Sequence, residues 1–491
     1  MSNSIYVSRN KIFTILFTIL VFICGMYQFY FVDSFSSDNL KKLVFIQSWV
    51  GIIFMILVIL QWKRMTNKFV TLYTIFILFF TVFNFGQCIL WAFNIHPENE
   101  LGKVLMFSRV PCSDLLIVKA QLLYIVSLTC LNCGAVLSFS GKYNELLNKN
   151  ISYDKGKIES PQEKICYDAL FWASCFLSII AIPATLYKMG YYYILVKNFG
   201  YTALGTTVSA SNTVLELLAH PFFPCLIGLL IGSRNKKKVV VFVFSVYAIY
   251  AIIATMGGDR GEWITRFMVL IWIEFFYYNK ISVKKGLKLA LLALVGFWVV
   301  QAVISLRNKG LTIDTLAEAL FESDNNPIVS CLTEFGHSMS IVMILLSRNI
   351  VYPYGNSYFV SILTMPSTDL VNGILGTQYV NIQDWFPKDI LNISYGSDFS
   401  MIGEAVLNYG PYIAPLILGV IGYFVLKMTL YPYFPKCNPF VFCILLNAVS
   451  VLLKLPRSTT WFFLNSILYG TLFLGVAYIV IKLLIDKRKA K

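Results

Sequence analysis

The sequence predicts an all-α, polytopic integral membrane protein. Hydrophobic residues fill 57% of its 491 positions and charged residues only 13%, and mean hydropathy is +0.70. A soluble domain carries about 25% charged residues. Apolar runs of about 20 residues, the length of helix that crosses a bilayer, recur along the whole chain. They predict twelve spans, near 11–31, 43–61, 69–93, 114–138, 167–187, 214–232, 238–256, 262–278, 285–305, 400–429, 437–454 and 459–485, forming a single transmembrane domain over 1–491. One long stretch, 307–400, is mostly polar and reads as a large extracytoplasmic loop carrying short helices.

The first run follows Arg9 and Lys11, is long and lacks a small-residue cleavage site, so it reads as a retained signal anchor. Between later spans, dense and sparse basic segments alternate. Lys63, Arg64 and Lys68, the lysines from Lys142 to Lys164, Arg234 with Lys236 to Lys238, Lys280 to Lys288, Lys427 with Lys436, and the tail from Lys482 to Lys491 hold most of the 40 basic residues. The positive-inside rule makes these segments and both termini cytoplasmic, and places 307–400 outside. The net charge of +15 therefore reports orientation. A nucleic-acid partner would need a basic patch on a folded soluble domain, which this pattern does not offer.

Most of the 11 cysteines lie in apolar runs, where a thiol packs as a small hydrophobe. Cys130 and Cys133 have CxxC spacing, but they fall inside a predicted span with no second pair to complete a zinc site. His96, His220 and His337 are scattered, and neither a P-loop nor a dinucleotide-binding glycine motif occurs. No metal, no cofactor and no ATP-driven transport are expected.

Polar chemistry enters at the junction of the seventh and eighth spans. There Gly257, Gly258 and Gly261 suit a tight turn that sets Asp259, Arg260 and Glu262 at the outer helix ends. Arg266 follows Glu262 at ion-pair spacing, and mutual neutralisation is the plain reading of that pair. Arg260 has no partner at such spacing, and a guanidinium on an outer turn suits a diphosphate, which it grips through two parallel hydrogen bonds. In the loop, Ile313, Leu316, Leu320 and Phe321 alternate with Asp314, Glu318 and Glu322 as a surface amphipathic helix.

Residues 327–347 put Ser330, Glu334 and His337 on one stripe, either an acid/base pair or a satisfied polar face. A crossing here would carry the basic tail outside, so the segment reads as re-entrant or surface-lying. YPYGNSYFVSILTMPSTDL (352–370) is a turn, a short apolar piece and a proline stop, too short to cross. In GSDFSMIGEAVLNYG (396–410), Asp398 reads as an N-cap, Glu404 and Asn408 stand one turn apart, and Gly410 with Pro411 breaks the helix. Counted from that cap, Glu404 lies about two turns in, past the reach of the helix dipole. LPRSTTWF (455–462) places Arg457 on the same side as Arg260, Arg307 and Glu404.

The order GGDRGEWI (257–264), SLRNKG (305–310), YGNSYFVSILTMPS (354–367) and GSDFSMIGEAVLNYG resembles the Wzy-type O-antigen and capsular oligosaccharide repeat-unit polymerases, over roughly 250–465. The resemblance implies a GT-C-like glycosyltransferase bundle in the bacterial plasma membrane. It implies metal-independent transfer of a glycan from undecaprenyl diphosphate onto a new lipid-linked repeat unit, on the outer face. It casts Glu404 as general base and Arg260 and Arg457 as diphosphate ligands. Arg266, Arg307, Asn408, Glu334 and His337 follow as substrate contacts, and membrane lipids, a chain-length regulator and a flippase as partners.

Three other readings stay open. O-antigen ligases usually show a His-Asn pair where Asp398 and Phe399 stand here, which favours a polymerase. A flippase would be expected to show internal repeats with matching broken helices, and the sequence lacks that symmetry. A structural or receptor-like membrane protein leaves the outer arginines without a purpose.

Overall fold

The computed structural model describes residues 2–95, 113–140, 160–199, 213–257, 261–278, 327–393, 398–433 and 438–489, and every regular element among them is helical. Ten of these helices are long and apolar enough to cross a membrane, and they fall on ten of the predicted spans. In order they are α1 (Ser2–Phe31), α2 (Ser37–Thr66), α3 (Leu72–Ala92), α4 (Asp114–Ser138), α5 (Pro161–Phe199), α6 with α7 (Thr213–Ala219, Phe222–Gly232), α8 (Lys237–Met256), and the last three described below. The predicted span at 262–278 is helical, as α9 (Glu262–Trp272) continued by a wider π turn (Ile273–Tyr278) to the end of that described stretch. The predicted span at 285–305 and the amphipathic segment at 313–322 lie outside the described residues.

The large loop contributes five short helices: α10 (Pro327–Phe335), α11 (Met339–Ser347), α12 (Ser357–Leu363), α13 (Thr368–Leu375) and α14 (Ile382–Trp385). The chain then returns through α15 (Met401–Leu430), α16 (Pro439–Lys454) and α17 (Thr460–Lys489). α15 is broken where the sequence predicts, at Gly410 (φ 73°, ψ 170°) just before Pro411. That backbone conformation is open to glycine and strained for any side chain.

α3 and α4 form the centre of the bundle and are almost wholly buried. α4 presses backbone to backbone on α15, where Gly134 faces the Gly419 carbonyl and Gly422 faces that of Leu131. Lipid tails are as apolar as the helices, so such close packing and interhelical hydrogen bonds supply the cohesion. Gln121 donates to the Val44 carbonyl at 3.0 Å and to Ser48 at 2.9 Å. Tyr124 donates to Thr81 at 2.8 Å, and Asn132 to Gln61 at 2.8 Å. α5 begins in a reciprocal cap, with the Glu163 N–H donating to Ser160 Oγ and the Ser160 N–H to Glu163 Oε2. The outer surfaces of α1, α8 and α17 expose Ile19, Ile23, Ile249, Ile252, Val476, Ile479 and Leu483, an apolar coat that suits lipid.

Candidate active site

Glu404 is buried to 1% exposure in the first turn of α15. Ser357, the first residue of α12, donates from Oγ to Glu404 Oε1 at 3.1 Å. The backbone N–H and the hydroxyl of Thr460, at the start of α17, donate to Oε2 at 2.9 and 3.0 Å. A carboxylate offers about four lone-pair positions, so three donors leave one position on Oε1. Asn408, one turn on, locks the same junction. Its Nδ2 donates to Ser357 Oγ at 2.8 Å and to the Glu404 carbonyl at 2.7 Å, and its Oδ1 accepts from the Ser357 N–H at 2.7 Å.

The cap of α15 differs from the sequence expectation. Ser400, not Asp398, is the N-cap, and its Oγ accepts from the Gly403 N–H at 3.1 Å. Glu404 therefore lies within the first turn rather than two turns in, and the helix N-terminus favours its charge. Asp398 is drawn off to Arg457, whose Nε stands 2.8 Å from its Oδ2. A serine caps with a neutral oxygen, while the aspartate two residues earlier meets a guanidinium.

Arg457 sits in the single 3-10 turn (Leu455–Arg457) between α16 and α17. Its guanidinium packs 5.9 Å from the Phe83 ring centroid and 5.5 Å from that of Phe335. Its Nη1 is buried with no hydrogen-bond partner among the described residues. Asn84 of α3 ties the surroundings together, accepting from Ser400 Oγ at 2.8 Å and donating to the Pro456 carbonyl at 3.2 Å. His337, in the turn between α10 and α11, lies within electrostatic range of Arg457 and Asp398. Glu334 is half-buried one turn earlier on α10.

Tyr358 completes the lining. Its hydroxyl is buried and, among the described residues, has no hydrogen-bond partner, while its ring stacks on Tyr409 at 6.2 Å. Burial, and after it the Glu404 charge, pushes the phenol well above its ordinary pKa, so it remains a donor.

Arg266 belongs to a neighbouring cluster. It pairs with Glu262 as the spacing predicts, and it reaches Tyr250 Oη at 3.4 Å. Lys454 stands 3.8 Å from Glu262 on the other side. Lys188 with Glu216, 3.1 Å apart, lies within electrostatic range of the same carboxylate. Arg260 and Arg307 lie outside the described residues.

The structure thus gathers Glu404, Asn408, Arg457 and His337 at one end of the bundle and holds Arg266 one turn of α16 away. Sequence reasoning did not single out Ser357, Tyr358, Thr460 or Asn84 as site residues. The first two lie inside the Tyr-Gly-x-Ser-Tyr stretch and Thr460 inside LPRSTTWF, so the signal was present in segments already marked. Asn84 carried none beyond being an amide in an apolar run.

No curated protein and no solved structure matches the chain. The family model for the O-antigen polysaccharide polymerase Wzy matches residues 11–489, nearly its full length, and the chain belongs to that family.

Proposed function

We propose that the protein joins polyprenyl-diphosphate-linked oligosaccharide repeat units into O-antigen, capsular or exopolysaccharide on the outer face of the plasma membrane, with Glu404 as general base. The observation that supports this reading is a buried carboxylate with one lone-pair position not taken by its three donors. It lies within electrostatic range of Tyr358, while Arg457 lies three residues before the Thr460 that binds it. Tyr358 Oη and Arg457 Nη1 are buried without a hydrogen-bond partner among the described residues. An acceptor hydroxyl forms a bond to the anomeric carbon of the donor sugar, and the bond from that carbon to the diphosphate breaks. The hydroxyl proton passes to Glu404. Negative charge develops on the departing diphosphate, and a fixed guanidinium in a low-dielectric cleft stabilises it. The diphosphate is already a good leaving group, so no nucleotide sugar and no metal enters this scheme. Arg260 and Arg307 are further diphosphate ligands in this scheme, and Asn408, Glu334 and His337 contact the sugars.

The burial of Glu404 favours a second reading, in which the carboxylate is a latch that fastens α12 to α15 and α17. A Glu404→Gln variant separates the two, because glutamine can keep hydrogen bonds to Ser357 and Thr460 but cannot take a proton. The expected result is single repeat units on the outer face with little or no polymer, from a protein that accumulates normally. Normal polymer length in Glu404→Gln, with loss only in Glu404→Leu, establishes the latch and leaves Glu334 with His337 as the pair to test. Repeat units confined to the cytoplasmic leaflet in a full deletion would instead mark a transporter.

A further inference from the structure

Between Arg348 and Asp384 the chain carries a single charge, Asp369. Its apolar side chains are nevertheless turned outward. Ile362 of α12 and Leu370, Ile374 and Leu375 of α13 are all exposed, Ile374 to 75%, and α13 buries no residue at all. Leu370 and Ile374, four apart, share one helix face. Asn372 points the other way, donating to the Tyr379 carbonyl at 2.9 Å and accepting from the Tyr379 N–H at 2.9 Å and Thr377 at 3.0 Å. Each such side chain left in water forgoes the favourable burial of its apolar surface. Asp369 lies within electrostatic range of Asp384, on the polar side.

The last helix fixes the level of this face. Trp461 and Asn465, four apart on α17, donate to the carbonyls of Thr364 at 3.1 Å and Met365 at 2.9 Å, and Tyr469, four further, donates to that of Pro366. α12 therefore runs beside α17 in the same sense, from Ser357 at the level of Thr460 to Pro366 at the level of Tyr469. A hydrocarbon core takes about 20 helical residues, so counting back from Lys482 or Lys487 starts that core at about residue 462 or 467. Tyr469 lies two to seven residues, about 3–10 Å, inside this edge, near the interface where tyrosines concentrate. α13 begins two residues after Pro366 and shares that level.

We propose that α13, with the end of α12, is an interfacial amphipathic element whose Ile362, Leu370, Ile374 and Leu375 enter the acyl boundary of the leaflet on the Glu404 side. The occupant of this face is lipid hydrocarbon, and the one charge from 349 to 383, Asp369, is not among the side chains that enter it. The inference does not depend on the polymerase reading. It does bear on the site, because Ser357 at the head of α12 is bonded to Glu404.

The test is site-directed spin labelling of the full chain in phospholipid bilayers, with native cysteines replaced. Nitroxides are placed at Ile374 and Leu375, and at exposed Lys388 as reference. Collisions with dissolved oxygen should exceed those with a water-soluble nickel chelate at 374 and 375, and the order should reverse at 388. Nickel-dominated collisions at both apolar positions overturn the proposal, since the face is then in water. Low accessibility to both reagents overturns it too, since a second copy or another protein then covers the face. Two label positions keep the result readable if one variant does not accumulate.

Discussion

At the scale of the residue, two buried donors without a hydrogen-bond partner among the described residues, Tyr358 Oη and Arg457 Nη1, carry the sharpest expectations. Removing the Tyr358 hydroxyl as Tyr358→Phe keeps the ring stack on Tyr409 and deletes a group with no partner among the described residues. Stability should hold within about 0.5 kcal/mol. Polymer formation in vesicles supplied with lipid-linked repeat units should fall about tenfold or more, because a hydrogen bond to a charged group contributes about 1.5–3 kcal/mol. Unchanged polymer formation would leave Tyr358 a packing residue. Arg457→Lys keeps a positive charge beside Asp398 but loses the planar fork held between Phe83 and Phe335, so output should drop strongly while the protein accumulates normally. Full activity in that variant would reduce Arg457 to an anchor for the α16–α17 turn. Glu404, Asn408 and Arg457 were legible in the sequence because charges and amides beside apolar runs are rare. Ser357 and Thr460 were not, because small hydroxyl residues occur everywhere and only the fold shows whose hydrogen bonds they complete.

Elements show a different balance. The ten long helices follow from hydropathy alone, and the break in α15 follows from Gly410 beside Pro411. What could not be read is how the loop docks, since the contacts are made by a stripe on α17, Trp461, Asn465 and Tyr469, whose side chains would otherwise read as ordinary interfacial residues. That stripe predicts a coupling. Trp461→Ala removes the donor to the Thr364 carbonyl without touching Glu404, and it should loosen the end of α12. Hydrogen exchange of amides in 357–381 should speed up several-fold, while amides in α3 and α4 stay protected. Equal protection in the variant and the parent would show that the Trp461 bond adds nothing to the hold of Ser357, Asn465 and Tyr469.

For the molecule as a whole, the distribution of basic residues predicts an orientation. In a cysteine-free chain, a cysteine at Asn326 or Gln383 should react with an impermeant reagent from outside, and one at Asn148 should stay protected. Labelling at 148 with protection at the other two would turn the bundle over and move the site to the cytoplasm. One more consequence concerns the order of synthesis. Ser357 precedes Glu404 in the chain, but Thr460, which supplies two of the three donors to that carboxylate, follows it by 56 residues. While the chain is being made, α15 therefore enters the membrane with Glu404 incompletely satisfied, a state that leaves the carboxylate at the membrane edge dependent on water. The carboxylate gains those two donors only when α17 inserts alongside. A chain cut short before Thr460 contains Glu404, Asn408 and Arg457 yet lacks two of the three donors that hold the carboxylate, so α17 completes a site whose charged residues all precede it.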